Sequence, residues 1–327
     1  MRVSLPTMIL SLAIMWMWLG WAAVGQGQCQ GQGQDQGQCP GPLGMSDVPC
    51  NPDQCAPRWT FAGEAIALQR STTRGQPLLV DGPGTTLLDS QNMNFPVAFG
   101  PKVSAICHNE CGWDLEVAYF QVDGFSTAAT VPGLNYMVID VNPATTVVND
   151  AQARYTSALY SGEVNVRRQW TDWLTLSAGY RMVELDERYS VEGAYASPLN
   201  ISAINHLYGF QLGAEAEVYN MGGPLLISGL CKAGIYDNFA NQSISQAASL
   251  TAQREQAAFL GEVGIVATYA LTKRLAFRAS YEAMWLTGVA LAPEQLGATD
   301  FAQGTATVDT NGGAFYHGGG LGFEYRF

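Results

Sequence analysis

Alternation of apolar and polar residues runs through this chain in segments too long for an ordinary soluble sheet, and it limits the fold more than any other feature. Segment 205–219 sets Tyr208, Phe210, Leu212, Ala214, Ala216 and Val218 against Gly209, Gln211, Gly213, Glu215 and Glu217. Segments 113–122, 256–271 and 274–289 alternate in the same way. At the C-terminus Phe315, Leu321, Phe323, Tyr325 and Phe327 alternate with Gly318, Gly320, Gly322, Glu324 and Arg326. Successive side chains of a strand point to opposite faces, so each segment is a strand with one apolar face. Weaker patterns at 59–69, 97–107, 155–168, 173–189 and 224–238 bring the set to ten, with eight and twelve as the neighbouring counts.

The connections alternate in length. Those at 70–96, 123–154, 190–204, 239–255 and 290–314 have fifteen residues or more, and those at 108–112, 169–172, 220–223 and 272–273 have five or fewer. Long outer loops alternating with short periplasmic turns are the signature of an outer-membrane barrel, with both barrel ends on the periplasmic side. The apolar face of a sandwich would instead be its core, so strand length separates the two folds. Soluble strands average about five or six residues, whereas a tilted bilayer crossing needs about ten. Aromatic residues near the ends of the apolar faces (Tyr208, Tyr219, Tyr269, Trp285, Phe315, Phe327) fit interfacial girdles. The expected fold is all-β: a transmembrane antiparallel up-and-down barrel of about ten strands.

The N-terminus fits an exported protein. Arg2 precedes an apolar run over 8–24, and small residues stand before Gln26, the layout of a secretory signal peptide. We expect a signal peptide over 1–25, a flexible Gly/Gln/Cys-rich tether over 26–57 and a barrel over 58–327. Seven cysteines in an oxidising compartment permit disulfides. Cys107 and Cys111, flanking a tight turn, are the candidate pair. With three histidines and no zinc spacing, no metal site is expected, and no cofactor. The net charge of −12 leaves no basic patch for nucleic acid.

The stretches WTFAGEAIALQRS, CGWDLEVAYFQVDG, WTDWLTLSAGYRMVELDERY and FLGEVGIVATYALTKRLAFRASYEAMWLTGVALAPEQL resemble β-barrel porins of planctomycete-type bacteria. Those proteins are in turn similar to pore-forming outer-membrane proteins of the Legionella type. The resemblance implies an outer-membrane barrel with a porin role and carries over no catalytic residues. The last strand, with Phe323, Tyr325 and Phe327, resembles the recognition strand read by the outer-membrane assembly machinery, which with outer-membrane lipid is the expected partner.

The polar face carries the function. The strand phases point Glu163, Arg181, Glu215, Glu217, Glu262, Arg278 and Glu282 into the lumen, within a larger set of nine acids and six bases. Two readings follow. One is a narrow porin-like channel for small hydrophilic solutes, mildly cation-preferring. The other is a structural, adhesive or surface-display barrel whose lumen is filled by salt bridges. Eight strands leave room only for side chains and about sixteen leave an aqueous channel. Inward glycines favour space, but glycine also relieves crowding where strands coil. Catalysis is not expected: His108 lies in a periplasmic turn, and His206 and His317 share the apolar face.

Overall fold

The computed structural model describes residues 59–327 apart from 73–74, 82–84, 110–111, 133–135, 138–149, 194–197, 247–248 and 302. The expected signal peptide and tether, and Cys111, lie outside the described residues. Ten strands form the wall: β1 (Trp59–Thr72), β2 (Ala98–Cys107), β3 (Trp113–Val131), β4 (Ala151–Thr171), β5 (Leu174–Glu192), β6 (Leu199–Asn220), β7 (Leu225–Ser245), β8 (Ser249–Ala270), β9 (Leu275–Val289) and β10 (Gly312–Arg326). Each pairs antiparallel with its sequence neighbours, and β1 pairs with β10, closing an up-and-down barrel without a free edge. The seam extends to the last residue: Trp59 and Phe327 exchange backbone hydrogen bonds of 3.1 and 2.8 Å. Around the lower barrel each strand has a partner on both sides, which is what lets strands cross a hydrocarbon layer.

The strands run further than the alternation suggests, mostly at the loop end. β3 reaches Val131, β6 starts at Leu199, β7 ends at Ser245 and β8 starts at Ser249. Two of the five connections expected to be long are therefore mostly strand, since β5 ends at Glu192 and β6 restarts at Leu199, and β7 ends at Ser245 and β8 restarts at Ser249. The cause is an inversion of phase along each strand. In the lower part of β6, Phe210 and Leu212 face out, 75% and 70% exposed, while Gln211 is buried inside. In the upper part Leu199, Ile201, Ala203 and Leu207 are buried inside, and Asn200 and Ser202 face out. β5 changes in the same sense, from outward Leu176 and Tyr180 to inward Val183, Leu185 and Val191. The lower zone is apolar outside, as lipid requires. The upper zone is polar outside and apolar inside, as a water-exposed domain requires.

The upper interior is a packed core. Inward Phe125, Tyr155, Tyr189, Leu260, Leu286 and Tyr316 join loop residues Leu78, Leu79, Met93 and Phe95 in one cluster. The connection after β9 folds into it, with a short 3-10 turn over Ala292–Leu296 buried along its whole length. Gly124 (φ +96) and Gly288 (φ +81) stand at bulges in β3 and β9. Each bulge inserts an extra residue at a positive φ that glycine adopts without strain.

Candidate functional site: the barrel interior

Below the apolar core the inner wall carries the charged residues. The pairing register puts Glu163 opposite Arg181, Lys232 opposite Glu262, and Glu64 opposite Lys102, so neighbouring strands present complementary charge at one level. Arg181, 1% exposed, sits at the centre. Its Nη1 lies 2.8 Å from Glu262 Oε2 and 3.8 Å from Glu163 Oε2, and its Nε donates to Ser161 Oγ at 2.8 Å. Lys232 donates to Glu163, and Lys102 to Glu282. Arg278 reaches Glu64 at 2.9 Å and Glu324 at 2.8 Å, and Ser280 Oγ donates to Glu64 at 2.7 Å. Arg167 bridges Glu215 at 2.6 Å and Glu116 at 3.4 Å. Gln211 Nε2 ties Glu163 and Asn165 into the same network at 2.5 and 2.8 Å.

Several of these bonds cross the lumen. Arg181 on β5 meets Glu262 on β8, and Lys102 on β2 meets Glu282 on β9. Glu262 and Arg278 lie on strands joined by a short hairpin but do not pair. In the structure Arg278 turns to Glu64 and Glu324, and Glu262 is taken by Arg181. A cavity of about 20 Å³ remains beside Lys102, Phe120, Glu163 and Arg181, room for about one water. The excess of lumen acids over bases is partly offset by local partners. Glu215 has Arg167, and Glu217 accepts from Asn220 Nδ2 at 2.9 Å at the periplasmic end.

The inward glycines do not open the lumen. A Cβ at Gly318 would lie 1.9 Å from the backbone oxygen of Ala67, and one at Gly322 would lie 2.0 Å from that of Gly63. They are there because β1 and β10 approach too closely at the seam for any side chain.

Above the ionic layer the fifth outer connection is bonded into the mouth. Asn205 clamps Ala290 by both backbone groups, at 2.8 and 2.7 Å. Gln242 donates to Thr307 O at 2.6 Å and Arg254 to Val308 O at 3.1 Å. A second charged pair, Arg70 with Glu187, is fully buried here. Glu187 also accepts from Tyr155 OH at 2.6 Å and from the backbone N–H of Ala292 at 3.0 Å. The Arg70 guanidinium lies 4.7 Å from the Phe95 ring centre and 5.2 Å from that of Tyr155, a cation–π cage in a dry site. Sequence reasoning missed this latch. Its signal was the reversal of phase in β5, where Glu187 falls among the inward apolar positions.

At the periplasmic rim His108 Nε2 lies 2.9 Å from Thr60 Oγ1, and His108 Nδ1 lies 2.9 Å from Asp114 Oδ2. Hydroxyl, imidazole and carboxylate stand in the order of an activated nucleophile. Thr60, however, is paired with Ile106 on one side and Arg326 on the other. The trio ties β1 to the β2–β3 turn. His206 and His317 face outward beside Glu184 and Tyr281. Phe323, Tyr325 and Phe327 are also exposed on the outer wall, and Phe323 packs edge-on against Phe277. Cys107 ends β2.

No family model and no curated protein matches this chain. Solved structures do. The outer-membrane protease OmpT from Escherichia coli has a TM-score of 0.55 at 13% identity, over 82% of this chain and 96% of that one. The translocator domain of the autotransporter NalP from Neisseria meningitidis gives 0.45 at 8% identity, over 82% and 88%. The Pseudomonas putida toluene transporter TodX gives 0.34 at 10%, over 82% and 90%. At these identities the likeness concerns fold alone. The closed ten-stranded barrel with its lipid-facing wall shares the fold of OmpT, an outer-membrane barrel.

Proposed function

We propose that this outer-membrane barrel works with its lumen sealed, as a rigid membrane anchor presenting its outer mouth at the cell surface, and that it is not an enzyme. The observation that carries this reading is the pair of cross-lumen bridges, Arg181 to Glu262 and Lys102 to Glu282, beneath a bonded apolar plug. Opening a path means separating buried charges, and an unpaired buried charge costs several kcal/mol, about 3–5 by the removal of one partner. A narrow porin is the second reading. It is favoured by the periplasmic end of the lumen, where the Glu215 side chain is 44% exposed and Glu217 faces water, giving a wetted acidic vestibule. That reading requires residues 290–311 to leave the mouth.

Solute uptake by proteoliposomes separates the two. With protein verified as folded by its gel mobility before and after boiling, vesicles diluted into a small sugar should swell no faster than empty ones. Swelling that rises with protein content and falls with sugar size contradicts the sealed lumen and supports the porin.

A further inference from the structure

The outer wall bears a polar cleft of about 300 Å³ across the upper ends of β4 to β7, within the size range of ligand sites. Two rows of outward side chains build it. The pairing register sets Arg188, Ser202 and Ser243 in one row, and Arg154, Ser190 and Asn200 in the next. Arg154 and Arg188 are therefore diagonal neighbours on adjacent strands, close enough for long side chains to share a ligand.

This cluster is unusual for the molecule. The chain carries a net charge of −12, and among the described residues the outward faces of the barrel strands hold only one other arginine or lysine. That is Arg168, whose guanidinium lies 4.8 Å from the Trp113 ring centre at the periplasmic end. Arg188 is 70% exposed and touches Asp186 at 3.0 Å, and no described carboxylate pairs with Arg154. Two like charges side by side repel unless an anion joins them. Guanidinium groups ringed by hydroxyl and amide donors are suited to phosphate, which accepts bidentate bonds from arginine.

Height selects the source of the phosphate. Arg188 and Ser202 stand four residues beyond Glu184 and His206, in the outward belt of Tyr160, His206 and Phe239 that ends the lipid-facing zone. At about 3.3 Å per residue and a tilt of about 40°, the cleft sits roughly 10 Å above that belt, at the level of the outer-leaflet headgroups. Its arginine, serine and asparagine side chains stand on the outer face of the strands, not in the mouth. We propose that this cleft binds the phosphorylated headgroup of an outer-leaflet glycolipid. The proposal rests on the barrel's place in the outer membrane and is independent of whether the lumen conducts.

The test is native mass spectrometry of the delipidated full chain in detergent, titrated with diphosphorylated lipid A, with the same lipid lacking phosphates, and with inorganic phosphate. One diphosphorylated lipid should bind per chain, at least tenfold more tightly than its dephosphorylated form. Arg154→Gln with Arg188→Gln should remove that preference, Arg168→Gln should keep it, and the double lysine variant should keep part of it. Equal binding of the two lipids to the wild type overturns the proposal, and this arm needs no variant to fold. So does an unchanged double glutamine variant, or displacement of the lipid by millimolar inorganic phosphate, which would make the cleft a site for free anions.

Discussion

Arg181 does more than neutralise a neighbour. It is buried among Glu163, Glu262, Ser161 and Gln211, so its removal takes the arginine from buried Glu262 and leaves Glu163 to Lys232 alone. Arg181→Met should lower the stability of the folded barrel by about 3–5 kcal/mol, the cost of leaving buried charge unpaired, as read by denaturant unfolding in micelles. Adding Glu262→Gln should recover part of that loss, because the second change removes one stranded charge. A loss below about 1 kcal/mol for Arg181→Met would mean the layer is hydrated and the lumen wet. The inward direction of Arg181 follows from sequence alone, since a lipid-facing arginine at mid-bilayer costs about 2–4 kcal/mol. Its choice of partner does not follow. Glu262 sits three strands away, and only the curvature of a closed ten-stranded wall brings the two together across the lumen.

At the scale of the strand, the periplasmic ends were legible to within three residues, because short turns and interfacial aromatics mark them. The outer ends were not. In β6 the outward set changes from Asn200 and Ser202 to Phe210, Leu212 and Val218, while the inward set changes from Leu199 and Ile201 to Gln211, Glu215 and Glu217. A period-two search that fixes the apolar residues on one face loses the strand at that crossing, and what lies beyond is read as loop. The seam between β1 and β10 makes a separate prediction. Gly318→Val puts side-chain atoms against the Ala67 backbone, whereas a Cβ at Gly63 on the outer wall meets nothing within 4 Å. Gly318→Val should sharply reduce the heat-modifiable folded band, and Gly63→Ala should leave it unchanged. Equal yields would show that the seam is looser than the register implies. Deleting Phe327 removes the last ladder pair, made with Trp59, along with the terminal aromatic of the assembly strand. Its level in the outer membrane should fall several-fold, and a normal level would count against both roles.

The whole molecule is two structures stacked on one set of strands: a lipid-embedded ionic girdle below, and a water-exposed barrel with an apolar core above. The fold class was readable because lipid imposes alternation on every strand it touches. The seal was not, because it depends on loops whose pattern is that of any buried segment: Phe95 from the first connection and Ala292–Leu296 from the fifth. If the lumen is sealed as proposed, both layers must yield before ions pass, and single-channel recording of the refolded chain in a planar bilayer measures this directly. The account predicts no discrete current steps from the wild type. It predicts steps from a variant in which residues 291–310 are replaced by a short Gly-Ser turn and both Arg181 and Glu262 are changed to serine. Regular steps from folded wild-type protein, with cations favoured under a salt gradient, would contradict it.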